Sequence, residues 1–315
     1  MTRVAVASRS FSRHPVLRAE LLCHYPDVTF NDAGRSLKDD ELVAFLAGHD
    51  RAITALEHLD EAILSRLPEL KVVGKYGVGL DMIDLAAMSR LGKKLGWTGG
   101  VNKRSVSELV ISAAIALLRH MPQGQALVRG GEWHQLMGRL LSDRTVGIIG
   151  CGHIGKDLAL LLRAFGCRVL AHDIRDFPNF YPIHHVTPLG LDDLLAASEV
   201  VTLHLPYDAS TRNILDGERL GRMRPGAILI NMARGGLVDE AVLKAMLLDG
   251  RLGGAAFDVF ACEPPTDLEL LRLPNMLALP HIGGSAEEAV LAMGRAAIAG
   301  LDHARDPLEF AGQGG

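Results

Sequence analysis

Apolar residues in this chain fall into two kinds of pattern. Short blocks at 4–7, 28–30, 52–55, 70–73 and 94–97 have the length of buried strands. Between them, apolar positions return every three or four residues over 14–25, 37–46 and 60–67, which predicts helices. Further strands are expected at 146–149, 169–173, 199–205, 227–232, 254–259 and 276–279, with helices over 105–119, 240–249 and 287–304. Strands alternating with helices predict parallel sheets covered on both faces, so the fold class is α/β. With 315 residues the chain is long enough for two such domains. The default place for a ligand is then a cleft between them. Ser105 followed by Glu108 matches a capping box, which is the plainest account of Glu108.

One junction carries chemistry. The strand at 146–149 runs into Gly150-Cys151-Gly152-His153-Ile154-Gly155, and a helical pattern follows. Gly150 allows a tight turn, Gly152 lets backbone approach a pyrophosphate, and Gly155 lets helix and strand pack closely. The helix N-terminus offers N–H groups and partial positive charge to the phosphates. The next strand ends in Asp173, 18 residues past Gly155, where a carboxylate can accept bonds from ribose hydroxyls. A carboxylate there disfavours a 2′-phosphate, so NAD is expected rather than NADP; Arg175 softens that preference without reversing it.

Three later strand ends carry polar groups: Arg234, Glu263 and His281. In an open parallel sheet such ends face the ligand crevice. Hydride transfer to a 2-oxo acid needs a proton donor for the carbonyl oxygen, and imidazole suits that task. A carboxylate beside it stabilises the cation and fixes the ring, while a guanidinium holds the acid group. Gly77-Val78-Gly79-Leu80-Asp81 is a glycine-rich turn whose N–H groups could grip a carboxylate or could simply turn the chain.

Charge and cysteines narrow the picture. A formal net charge of −4 gives no pull toward nucleic acid or an anionic membrane, and the pairs Lys93-Lys94 and Lys103-Arg104 read as solvated. The four cysteines lack metal or disulfide spacing, which predicts reduced thiols in a cytoplasmic protein with no metal site. Cys262, beside Glu263, reads as a small buried residue. The start of the chain reads as a strand rather than a signal peptide, and no apolar run is long enough for a membrane span.

Four segments together resemble the D-2-hydroxyacid dehydrogenase family, which includes the phosphoglycerate dehydrogenases. They are Gly-Ile-Ile-Gly-Cys-Gly-His-Ile-Gly (147–155), Asn-Met-Ala-Arg-Gly-Gly-Leu-Val-Asp-Glu (231–240), Asp-Val-Phe-Ala-Cys-Glu-Pro (258–264) and Pro-His-Ile-Gly-Gly-Ser (280–285). The resemblance implies two Rossmann-like or flavodoxin-like parallel-sheet domains. Residues 1–101 with 284–315 would bind substrate, and 102–283 would bind NAD. It makes His281 the acid/base, Glu263 its partner and Arg234 the substrate-binding arginine. Lys75, Tyr76, Gly77, Val78 and Gly79 would join them on the substrate. His153, Ile154, His204, Pro206, Thr211, Met232, Ala233, Asp258 and Gly283 would join Gly150, Gly152, Gly155 and Asp173 around NAD. It also implies a homodimer with the helix over 105–119 in the interface.

Some positions depart from the family pattern. Met82 stands where an asparagine is usual. Glu57 lies where phosphoglycerate dehydrogenases place an arginine, and would repel a substrate phosphate unless Lys75 or Arg104 compensates. Val78 argues against phosphite, Glu263 argues against formate, and the 97–102 junction is unusual. The expected activity is interconversion of a 2-hydroxy acid and a 2-oxo acid. The alternatives are a dehydrogenase of a phosphonate, with Lys75 and Arg104 as anion contacts, and an NAD(H)-sensing, corepressor-like binding protein.

Overall fold

The computed structural model describes residues 2–312. Its contacts divide the chain into two units: the first runs to Asn102 and resumes at Glu287, and the second is Lys103–Ala286.

The first unit holds a five-stranded parallel sheet of β1 (Arg3–Val6), β2 (Asp27–Phe30), β3 (Arg51–Thr54), β4 (Val72–Lys75) and β5 (Lys94–Gly96), in the order β2-β1-β3-β4-β5. Alternation along β1 shows how the sheet is buried. Val4 and Val6 join the core beneath helices Pro15–His24 and Glu287–Asp302, while Ala5 and Ala7 face the opposite core. The helix Glu287–Asp302 lies against β4 and β5 closely enough that a Cβ on Gly96 would come within 2.1 Å of the Gly300 carbonyl oxygen. On the other face Phe310 packs edge-on to Trp97, ring centres 5.3 Å apart. Both cores of this unit therefore draw on the returning segment.

The second unit holds a seven-stranded parallel sheet of β6 (Thr145–Ile149), β7 (Arg168–His172), β8 (Val186–Pro188), β9 (Val200–Leu203), β10 (Ile228–Asn231), β11 (Gly254–Phe257) and β12 (Met276–Ala278). The order is β12-β11-β10-β9-β6-β7-β8, so chain direction across the sheet reverses between β6 and β9. The expected parallel α/β architecture is present in both units.

Several local expectations need correction. The helix expected from Ser105 begins at Lys103, so Ser105 is inside it and is not the cap. Its hydroxyl instead donates to the Gly283 carbonyl, 2.6 Å away. The strand expected at 70–73 lies at Val72–Lys75. Helices Arg9–Arg13, Leu85–Arg90 and Met121–Arg129, and strand β8, lie where no element was expected. Cys262 is exposed rather than buried, in the exposed turn 261–264 that follows β11. Arg104 is not simply solvated: its guanidinium makes a two-point pair with the buried Asp157 carboxylate, at 2.9 and 3.0 Å.

Candidate active site

The glycine loop sits at the β6 end of the switch between β6 and β9, where open sheets bind ligands. Gly150 has φ of 96°, and a Cβ there would meet the His204 carbonyl oxygen at 2.3 Å. Only glycine tolerates both conditions. A Cβ on Gly155 would meet the Gly150 carbonyl oxygen at 2.1 Å, so the helix His153–Ala164 rests directly on the loop. That helix is capped by Gly152, which has no side chain to satisfy its first N–H groups.

Asp173 follows β7, its side chain 6% exposed. Its two oxygens accept from Cys151 N–H (2.7 Å) and Arg175 N–H (2.8 Å), which fixes the carboxylate beside the loop. Each oxygen keeps a second lone pair for a ribose hydroxyl. His204, at the end of β9, is buried; its Nε2 pairs with Thr202 Oγ1 at 3.0 Å and its Nδ1 has no partner among the described residues. Burial drives this imidazole down to about 3, so it is neutral. His153 is also shifted down, by burial first and then by Lys103, Lys156 and Arg175. Cations therefore gather around the helix N-terminus. Thr211 closes the next turn by donating to Pro206 O at 2.8 Å. A bare helix N-terminus, a backbone cradle, a fixed acid and an orphaned buried nitrogen fit a dinucleotide.

Arg234, Glu263 and His281 follow β10, β11 and β12, which are adjacent in the sheet. Asn231 shapes the first turn: its side chain accepts from Ala233 N–H and donates to Arg234 O, while Arg234 Nη1 donates to Ala233 O. Met232 and Ala233 are buried under it. Glu263 precedes a cis proline; its Oε1 accepts from Phe260 N–H at 3.1 Å and its Oε2 lies 2.8 Å from His281 Nδ1. Glu240, whose half-buried carboxyl is shifted upward by desolvation, braces this loop by accepting from Ala261 N–H.

His281 has φ of 57°, a left-handed backbone that costs a non-glycine residue about 1–2 kcal/mol. Asp258 holds it there. The two carboxylate oxygens of this buried residue accept from Ile282 N–H (2.7 Å) and Gly283 N–H (2.6 Å). Sequence reasoning assigned Asp258 to the cofactor and did not see this clamp. Nor did it see the Ser105 bond to Gly283, which fastens the same turn from the other side.

In the first unit, Lys75 is buried at the end of β4, and its Nζ donates to Ala55 O. Tyr76 is buried edge-on against Phe11. Gly77 has φ of 127°, and Val78 O accepts from Trp97 Nε1 at 3.1 Å. Glu57 is folded onto its own turn, its Oε2 accepting from Ala55 N–H at 2.6 Å. Lys75 and Arg104, the anion contacts of the phosphonate alternative, are thus both engaged within the protein.

Fingerprint, switch point and fixed acid define a dinucleotide-binding protein of the doubly wound class. Residues 111–283 match the D-isomer specific 2-hydroxyacid dehydrogenase, NAD binding domain family. The chain is 35% identical over 259 residues to a hydroxypyruvate reductase of Thermotoga maritima, covering 80% of this chain and 84% of that one. It is 35% identical over 253 residues to D-3-phosphoglycerate dehydrogenase of Mycobacterium tuberculosis, covering 79% of this chain but only 48% of that longer protein. A solved putative D-isomer specific 2-hydroxyacid dehydrogenase from Polaromonas superposes with TM-score 0.86 at 28% identity, covering 99% and 97% of the two chains. The chain belongs to the D-isomer specific 2-hydroxyacid dehydrogenase family and is an NAD-dependent oxidoreductase. Among the described residues no helix is long and apolar enough to cross a membrane.

Proposed function

We propose that this enzyme interconverts a small 2-hydroxy acid and its 2-oxo acid, with His281 as acid/base, Glu263 as its partner and Arg234 as the substrate clamp. The carrying observation is the 2.8 Å contact between His281 Nδ1 and Glu263 Oε2. A carboxylate accepts only, so Nδ1 carries the proton and Nε2 is left to exchange one with substrate. Bound NAD supplies the hydride acceptor at C2 of the hydroxy acid, or as NADH the donor to the oxo acid. During reduction His281 gives its Nε2 proton to the carbonyl oxygen, and during oxidation it takes the hydroxyl proton. Glu263 offsets the charge on the ring and holds its plane. Arg234 pairs with the substrate carboxylate. The names of the relatives support substrates of hydroxypyruvate size.

The active form proposed is a homodimer of a cytoplasmic enzyme. Its support is a run of uncovered apolar side chains after the helix Lys103–Leu118: Trp133 is 81% exposed and Met137 93%.

The decisive variant is His281→Ala, followed by NADH oxidation at 340 nm with glyoxylate, hydroxypyruvate and pyruvate. Turnover is expected to fall about 100- to 10,000-fold while NADH affinity stays near wild type. A variant that keeps more than about a tenth of the wild-type rate removes His281 from the acid/base role.

A further inference from the structure

Glu240 closes the 231–240 motif and has no part in the proposed chemistry. It opens the helix Glu240–Leu248, and the chain just before it is the turn that carries Arg234. The helix does not need its carboxylate as a cap, because Asp239 already accepts from Ala241 and Val242 N–H, both at 3.1 Å. Glu240 reaches instead to a segment 21 residues away and accepts from Ala261 N–H at 2.8 Å.

The Phe260–Ala261 peptide is where two turns meet. Its N–H goes to Glu240, while the preceding N–H, that of Phe260, goes to Glu263 Oε1, whose partner oxygen reaches His281. The same peptide rests on the Arg234 turn: a Cβ on Gly235 would come within 1.9 Å of Phe260 O and 2.6 Å of Ala261 N. A glycine after Arg234 thus lets the two turns touch backbone to backbone. Leu237, Val238 and Phe260 also share one buried core.

Glu240 holds this place at a cost. Its carboxyl is half-buried, and no cation pairs with it among the described residues. Lys244, one turn along the same helix, is taken by Asp267 at 2.8 Å and Glu269 at 3.1 Å. Desolvation pushes the Glu240 carboxyl upward, and the charge of Asp267 adds to that. Taking a carboxylate out of water without a counter-ion is unfavourable, and the bond that offsets it here is the one to Ala261.

We infer that Glu240 is a positioning residue that locks the Arg234 turn to the Glu263 turn, so that the substrate clamp and the acid/base pair keep one spacing. This rests on the proposed roles of Arg234, Glu263 and His281. Glu240 acts through the Phe260–Ala261 peptide and not on the substrate. Its loss should therefore be felt in substrate binding and in proton exchange together.

The test uses Glu240→Ala, which removes the acceptor and leaves the Asp239 cap, and Glu240→Gln, whose amide oxygen still accepts from Ala261 N–H. On the best of glyoxylate, hydroxypyruvate and pyruvate, Glu240→Ala should lose at least about tenfold in kcat/KM, split between a higher KM and a lower kcat. Glu240→Gln should keep at least about a third of the wild-type value, and NADH affinity should change less than about threefold in both. In a Glu263→Ala background the kcat share of Glu240→Ala should vanish, because the residue it acts through is gone. Hydrogen exchange read by mass spectrometry follows the lock without turnover. In Glu240→Ala the segments 232–238 and 258–264 should both exchange at least about tenfold faster, with β6 and β7 unchanged. Faster exchange in neither segment, or in one alone, overturns the inference. So does an unchanged kcat/KM in Glu240→Ala, a loss that glutamine does not restore, or a kcat loss that persists in full in the Glu263→Ala background. A His281→Ala variant that keeps its rate sinks the proposed function instead, and the exchange result then still decides whether Glu240 locks the two turns.

Discussion

His204 is the buried group whose protonation should be felt most sharply. Its pKa falls from an ordinary 6.5 to about 3 because the ring is desolvated at the end of β9, with Gly150 packed on its carbonyl. A histidine depressed in the folded state contributes stability that is fully present above its unfolded pKa. That contribution is lost as pH falls toward the folded value. Between pH 7.5 and 5.0 the unfolded chain gains this proton and the native chain does not, which costs about 2 kcal/mol. For a unit of this size that corresponds to roughly 4–8 °C in Tm. His204→Gln keeps an acceptor or donor for Thr202 and removes the titration. Urea unfolding of both proteins at the two pH values, followed by circular dichroism, isolates the term, because every other acid-sensitive group is common to both. The wild type should lose about 2 kcal/mol more than the variant on acidification. Equal losses would mean that the ring is not dry or not depressed, and the burial argument would fail.

Asp258→Asn leaves one acceptor for two N–H groups, so the turn carrying His281 should loosen. With charged hydrogen bonds worth about 1.5–3 kcal/mol, kcat should drop at least about tenfold with NADH affinity changed less than threefold in a fluorescence titration. Gly155→Ala drives a methyl into the Gly150 carbonyl, a backbone atom that cannot swing away. Urea unfolding should show a loss of about 1–3 kcal/mol, and NADH binding should weaken with it. Trp133→Glu puts a charge in the apolar run after the helix Lys103–Leu118. If the proposed homodimer uses this run, sedimentation should show the wild type as a dimer and the variant as a monomer.

The nucleotide loop was legible because its function is tied to spacing. A phosphate cradle needs glycine where the backbone closes on itself, and Gly150 and Gly155 prove to be the positions with no room for a Cβ. The pairing of Glu263 with His281 was legible for a similar reason, as both follow strands that lie side by side. What the sequence concealed were bonds between distant segments. Asp258 and the 282–283 backbone are 24 and 25 residues apart, and Ser105 and Gly283 are 178 apart. The local match of Ser105 to a capping box pointed the wrong way because the hydroxyl has a better partner across the fold. The shift of β4 has a polar cause. Lys75 interrupts the hydrophobic pattern yet is buried in the strand, because its Nζ reaches Ala55 O. The helix Met121–Arg129 was invisible to core-stripe reasoning since none of its residues is buried.

The first unit's cores depend on Ala297, Ile298, Leu301 and Phe310, all in the segment that returns after Ala286. During synthesis all five strands of that sheet leave the ribosome before this segment exists. The whole of 103–286 is made in the interval, roughly 10–40 s at ordinary elongation rates. The inserted unit holds every strand of its own sheet and can fold as it emerges. The sheet that preceded it must wait, with the groove at Gly74 and Gly96 uncovered by its own helix. The order of birth is therefore the reverse of the order of completion, and through that interval the first sheet stands without the segment that closes both of its cores.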